Sequence, residues 1–335
     1  MDDSRRRELR FRVRREVPDA PGVYTWRGAD GQCLYVGKSR RLRTRMLSYL
    51  GPSATRNDSR IRNLVFAIES FEWQTTAGEL MALLIEDARI KRLEPRYNER
   101  QRDYRERMYL LLTDDVFPAC LVTDGDVSRS GDVWGPFKDE YFCRDLKLIL
   151  TEEFGLRSCT DPAPYRRSAR FDLGQCPGPC REAVTPAAYA ANASAVRAFL
   201  DGDSATVAAG LEHKMAEASA SLDFERAALL RDRLGFCERF VTRQRFFRAF
   251  REGSMAVTDS SAGLTLMFER GVLQRIQRAG QPDLLIPPDL GQPVADPRIL
   301  LDRANILYSW KGLARNAPAA PERGSHPSRN EIAHK

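Results

Sequence analysis

Histidine is scarce in this 335-residue chain: there are three, and the first is His213. Nothing before it can use an imidazole as general base, metal ligand or pH switch. No apolar run approaches the roughly 20 residues that a membrane helix needs. Met1 to Arg15 is rich in arginine but lacks the apolar core of a secretion signal. No membrane association is expected, and a cytoplasmic protein is. Seven cysteines, an odd number without a secretion signal, point to free thiols or metal ligands over disulfides. Adjacent acidic residues in the first hundred positions are limited to Asp2-Asp3 and Glu86-Asp87, which argues against a two-metal site there.

What is present describes an ordinary globular chain, 42% hydrophobic and 30% charged, long enough for two or three domains. The formal charge of +7 is unevenly spread. Residues 1–105 hold 23 Lys+Arg against 15 Asp+Glu, leaving 30 against 31 for the rest. A basic domain on a neutral body suits a phosphate-rich partner, because each neutralised phosphate releases counterions.

Residues 21–27 and 32–37 are short β-rich runs joined by Gly-Ala-Asp-Gly, the pattern of a hairpin. From Ser39 to Leu50 the pattern turns helical, with Leu42, Met46 and Leu50 four apart. A second helix is expected over Asp58 to Ile68 and a strand over Phe71 to Thr76. A third helix runs from Gly78 to about Leu93, before Pro95. The order β-β-α-α-β-α describes an α/β (α+β) domain of about 100 residues. Short strands are expected within 108–137, a helix near Asp139 to Glu153, and nearly continuous helix over 186–247. A weak strand pair (264–269 and 272–277) and a helix at 297–312 precede a Pro-, Ala-, Arg- and Ser-rich end.

The first domain carries polar residues that a fold alone does not ask for. Tyr24 and Tyr35 sit at matching ends of the hairpin strands, and Lys38 follows Gly37 at the turn into the first helix. Arg45 and Tyr49 share a helix face; Glu86 interrupts an apolar run; Asn98 closes the third helix in PRYN. Phosphodiester hydrolysis needs an activated water and charge neutralisation on the phosphate. One Mg²⁺ (or Mn²⁺) held by a single carboxylate serves as Lewis acid, Lys and Arg as fixed cations. A tyrosine whose pKa is lowered by those cations could accept the proton. Taken singly, each residue has a plainer role: packing for the tyrosines, a solvated helix face for Arg45 and Glu86, a helix-entry charge for Lys38.

As an ordered set, PGVY at 21–24, LYVGKSRRLRTRMLSYL at 34–50 and ELMALLIEDARIKRLEPRYN at 79–98 resemble the GIY-YIG nuclease signature in its UvrC form. The resemblance implies a central three-stranded antiparallel sheet flanked by helices. It makes Tyr24 and Tyr35 the signature tyrosines, one of them the general base. Lys38 and Arg45 would contact the scissile phosphate, Tyr49 would shape the site, Glu86 would hold the metal and Asn98 would buttress the metal shell. Val36 stands where the motif has Ile.

Farther on, Cys176-Pro-Gly-Pro-Cys180 with Cys159 upstream reads as a metal loop. It resembles a UvrC segment expected to hold an iron–sulfur cluster, but the second family cysteine falls at Ser168, an incomplete set for iron–sulfur or zinc. A cluster with a non-cysteine ligand, a borrowed Cys143, and no metal at all stay open. Residues 207–245 resemble a UVR motif, the hairpin by which UvrC-type proteins dock onto UvrB. Ser221 falls near the cap of its second helix, and Leu222, Phe224, Ala228 and Leu234 are the expected contacts.

The divisions expected are a basic arm (1–16), the nuclease domain (17–105), a cysteine-containing region (106–200), the hairpin (201–250), a small region of unknown role (251–313) and a disordered tail (314–335). The chain shows no sign of UvrC's second, RNase H-like nuclease, an architecture closer to the shorter Cho type. Cho-like proteins are not expected to carry a clear UVR hairpin, so the resemblance sets the chain between the two. The function expected is 3′-side incision of damaged double-stranded DNA, with a UvrB-like loader. A non-catalytic UvrB-binding adaptor and a nuclease for other branched DNA are the alternatives.

Overall fold

A computed structural model of the chain describes residues 3–51, 59–98, 103–125, 130–137, 140–160 and 169–312. The tail expected at 314–335 and Ser168 lie outside them. No helix among the described residues is long and apolar enough to cross a membrane.

The first unit runs α1 (Asp3–Glu16), β1 (Gly22–Arg27), β2 (Cys33–Ser39), α2 (Leu42–Tyr49), α3 (Ser59–Ala67), β3 (Ser70–Thr75) and α4 (Glu79–Leu93). Its antiparallel sheet has the order β2-β1-β3, so β1 is central and β2 has a free edge. The hairpin forms where Gly31, at φ +69°, turns the chain in a conformation that glycine adopts without strain. On one side of the sheet, Leu42, Met46 and Leu50 bury as their spacing predicts, together with Tyr24, Trp26 and Phe71. Leu9, Val13 and Val17, also four apart, enter the same core. The expected basic arm is therefore a helix of this unit, held by apolar residues that its arginines obscure.

The middle unit holds a second antiparallel sheet, order β5-β4-β6, from β4 (Met108–Thr113), β5 (Cys120–Thr123) and β6 (Gly131–Phe137). It shares one core with α5 (Glu140–Glu153), α7 (Pro186–Leu200), α8 (Ala205–Ala220) and the start of the long α9 (Phe224–Glu252). The one-turn α6 (Ala169–Asp172) lies between α5 and α7. Thr185 caps α7, its side chain accepting from Ala188 N–H at 3.2 Å, with Pro186 at the first helical position. Asp223 caps α9 in the same way, accepting from Arg226 N–H at 3.1 Å. Ser221 instead ends α8, so the cap lies two residues beyond the expected position.

Beyond α9 come β7 (Ser254–Asp259), β8 (Leu264–Glu269), β9 (Val272–Arg278), β10 (Gln281–Leu284) and α10 (Pro297–Trp310). The four strands form an antiparallel meander. Only its two inner strands were legible in the sequence. Its apolar residues Val257, Leu266, Phe268 and Ile276 share a core with Leu80, Leu84, Ile85 and Ile90 of α4 and with Val23 and Val36 of the first sheet. The region expected to stand apart is thus packed on the back of the nuclease-like unit.

Candidate active site

Tyr24, Tyr35 and Tyr49 come together on the α2 side of the first sheet, their rings 6.0–6.1 Å apart in all three pairs. Tyr24 pairs across the ladder with Gly37, and Tyr35 with Trp26. The two signature tyrosines are therefore diagonal neighbours on one face, not residues at matching strand ends. Gly37 makes room for them: a Cβ there would lie 2.5 Å from Tyr24 Oη and 2.8 Å from the Tyr35 ring. The Tyr24 hydroxyl donates to Tyr49 Oη at 3.3 Å, and Arg45 Nη2 reaches the same oxygen at 3.3 Å from within the Tyr49 helix. The Arg45 guanidinium also lies over the Tyr49 ring, 5.1 Å from its centre.

From the other side of β2, α4 presents Glu86. Its Oε1 accepts from Lys38 N–H at 2.9 Å. Asn98 works two residues back, accepting from Val36 N–H and donating to Val36 C=O, both at 2.8 Å. These bonds satisfy the unpaired edge of β2, which would otherwise bury orphan backbone groups. Asn98 therefore buttresses the strand between Tyr35 and Lys38, where the resemblance implied a metal shell. The Lys38 ammonium turns to Glu79 Oε1 at 3.3 Å, and Arg40 Nε meets Glu79 Oε2 at 2.6 Å. Sequence reasoning missed Glu79. It lies seven residues before Glu86, hence on the same helix face, and that spacing was the available signal.

Electrostatics separate the groups. Burial raises the Glu86 carboxyl to about 7, partly opposed by the Lys38 backbone N–H and charge. The hydrogen bond from Arg40, helped by Lys38, holds Glu79 below the ordinary carboxylate range. Burial and the neighbouring Tyr49 push Tyr24 and Tyr35 above the ordinary phenol range. The expected lowering of a tyrosine pKa is thus corrected: desolvation and the neighbouring Tyr49 outweigh Arg45.

Glu86 fits a divalent cation. It is a nearly buried carboxylate, and among the described residues its Oε2 has no hydrogen-bond partner. A hard cation would offset the burial penalty on its charge. Among the described residues no three His, Cys, Asp or Glu side chains cluster as a metal site. A lone carboxylate completed by water is how Mg²⁺ is commonly held.

Among the described residues the cysteine loop does not assemble a cluster of three metal ligands. Cys159 lies beside Arg157 (Nη1 to Sγ 3.8 Å), whose buried guanidinium is fixed to Phe117 C=O and Asp115. Cys176 and Cys180 belong to a separate turn, where Gly178 packs on Phe171. Cys143 is fully buried in the middle core. In the hairpin, Leu222 and Phe224 are exposed, at 72% and 67%, and Ala228 is half-buried. Leu234 instead packs against the middle core with Leu230 and Cys237, one turn before it and one turn after it on the inward face. Leu229 is likewise exposed, at 66%.

Family models match residues 20–99 (UvrC-like GIY-YIG domain), 107–199 (UvrC/Cho excinuclease, middle domain) and 206–239 (UvrB/uvrC motif). The chain is 31% identical over 342 residues to UvrABC system protein C of Desulforudis audaxviator (strain MP104C), covering 92% of this chain and 55% of that protein. It thus spans about half the length of the curated relative. Among solved structures, the GIY-YIG N-terminal endonuclease domain of UvrC from Thermotoga maritima, bound to magnesium as its catalytic divalent cation, is 28% identical. That match covers 29% of this chain and 99% of that one, with a TM-score of 0.25. An asparagine-to-alanine mutant of the same domain is 27% identical, covering 29% and 97%, also at 0.25. Three consecutive domain matches in one order, on a sheet that gathers the signature residues, place this chain in the UvrC/Cho-like GIY-YIG family.

Proposed function

We propose that the protein is a metal-dependent DNA endonuclease that nicks damaged duplex on the 3′ side of a lesion, delivered by a UvrB-like partner. The observation that carries this reading is the meeting of Glu86, Lys38, Arg45 and three tyrosines along β2, two cations and one buried carboxylate about a strand edge. A phosphodiester seated there has fixed positive charge on either side. Lys38 and Arg45 neutralise the charge that develops on the phosphate, and they act from prepaid positions, one held by Glu79 and one by Tyr49. Glu86 is the residue that would hold the divalent ion. The ion supplies Lewis-acid polarisation and a more acidic water when bound.

Tyr24 and Tyr35 are neutral at rest and orient by hydrogen bonding and packing. One of them receives the water's proton only once positive charge stands beside it, since burial alone opposes its ionisation. The exposed Leu222, Phe224 and Leu229 support docking of a UvrB-like helical hairpin, which would bring the lesion to the site. The proposed ion is Mg²⁺, on the strength of the single carboxylate.

The test is nicking of an end-labelled duplex bearing one bulky adduct, with Mg²⁺ and a UvrB-type loader, for wild type and Glu86→Gln side by side. A single 3′-side cut that the variant loses is the expected result. A cut by both proteins would refute the role of Glu86. No cut by either would favour the adaptor, and equal cutting of undamaged branched DNA would favour a nuclease outside repair.

A further inference from the structure

The start of α4 is held from outside its own unit. Its N-cap, Gly78, makes no side-chain cap bond. The acceptor is instead supplied by Asp259, a fully buried residue at the end of β7, whose Oδ2 faces Leu80 N–H at 3.5 Å. Asp259 is pinned by its own turn: Oδ1 accepts from Ser261 Oγ at 2.6 Å and from Ala262 N–H at 3.2 Å. A buried carboxylate here also opposes the positive end of the helix dipole. Gly78 has an extended backbone that any residue can adopt, so its lack of a side chain matters sterically. A Cβ would lie 2.6 Å from Asp259 Oδ2 and 2.7 Å from Ala262 Cβ.

More contacts bind the same helix to the C-terminal region. Arg89 and Arg92 pair with Asp289 at 3.0 and 2.8 Å. The nearly buried Lys91 pairs with Asp302 of α10 at 2.9 Å and with Asp87 at 2.6 Å. Glu79 is the first residue of α4 and the partner of Lys38 and Arg40. A shift in the first turn therefore moves the anion that aims Lys38.

We propose that the 259–262 turn of the C-terminal sheet positions the first turn of α4 and, through Glu79, sets Lys38 for phosphate contact. Asp259 is a positioning residue and Gly78 its steric counterpart. The consequence for activity rests on the nuclease reading above; the structural part does not.

The experiment uses the full chain with two variants. Asp259→Asn keeps the volume but sets an NH₂ against a backbone or hydroxyl donor; Gly78→Ala pushes a methyl into the carboxylate from the other side. In metal-free protein, amides 79–82 should exchange about fivefold faster in each, the size of a lost helix cap, with β1–β3 amides unchanged. In the nicking assay, kcat should fall roughly tenfold with little change in KM, as for a misplaced transition-state contact. In a Glu79→Gln background, Asp259→Asn should lower kcat no further, whereas general loosening would still add its effect. If Asp259→Asn does not fold, Gly78→Ala decides.

Unchanged exchange over 79–82 overturns the proposal. So does faster exchange with unchanged kcat, or an effect that adds to Glu79→Gln. Should wild type itself not nick, the nuclease reading falls and the link to Lys38 activity falls with it. The exchange data then decide the anchoring of α4 alone.

Discussion

Replacing Glu86 with Gln should make the metal-free protein more stable above pH 7 while abolishing nicking. The folded carboxyl titrates near 7 against an ordinary 4.5. Below about pH 4.5 both states are protonated and the group contributes nothing. Between 4.5 and 7 the unfolded chain releases the proton while the folded chain retains it, so stability falls as pH rises. Each pH unit in that window costs about 1.36 kcal/mol, and the loss reaches on the order of 3 kcal/mol before levelling off above pH 7. Gln has the shape of the protonated acid and still accepts from Lys38 N–H, so the variant escapes this loss. Urea unfolding in EDTA at half-unit steps from pH 5 to 8 measures it. The two stability curves should converge at the acid end and diverge toward pH 8. Mg²⁺ at pH 8 should then stabilise wild type and leave Glu86→Gln unmoved. Below pH 7 the ion must displace a proton, so its half-saturating concentration should rise about tenfold per unit. Parallel stability curves for the two proteins would refute the account of Glu86 as a carboxylate strained by burial.

Three further outcomes follow from the same geometry. Gly37→Ala should destabilise the protein by about 1–3 kcal/mol and lower nicking, because the methyl meets the fixed Tyr24 hydroxyl; calorimetry and the nicking assay check both. Asn98→Ala should cost about 1–3 kcal/mol for each Val36 group it leaves unpaired, with Asn98→Asp intermediate because it keeps an acceptor for Val36 N–H; chemical denaturation of the three proteins orders them. Phe224→Ala should change stability by less than about 0.5 kcal/mol, since the ring is exposed, yet weaken binding to a UvrB-type protein in calorimetric titration, while Leu234→Ala should lower stability instead.

The secondary structure of the first unit was legible because its signals are local. The Gly-rich turn, the four-residue spacing of Leu42, Met46 and Leu50, and the stop before Pro95 each act within a few residues, and β1 through α4 fall within a few positions of where these signals put them. The signature residues were legible for a different reason: polar side chains at Tyr24, Lys38, Arg45 and Glu86 interrupt patterns that a fold alone would keep apolar. The α1 helix was obscured because its two buried residues, Leu9 and Val13, are scattered among arginines. The cysteine motif was legible as a spacing only, and among the described residues it does not assemble into a cluster of three ligands.

The sequence by itself determined the order of elements, the charge of the first third and the chemical types present at the site. Tertiary structure alone decided how those groups behave. Burial against the sheet raises Glu86 to about 7 and pushes the tyrosines up, and desolvation of this kind depends on what packs around a group, which no local spacing encodes. Tertiary structure also decided that Glu79 holds Lys38, and that Asp259, 179 residues from Leu80, faces the start of the helix that carries Glu86. Contacts across such separations arise only when the apolar faces of α4 and the C-terminal sheet close on one core, because that burial and not the sequence neighbourhood brings their polar groups within hydrogen-bonding reach.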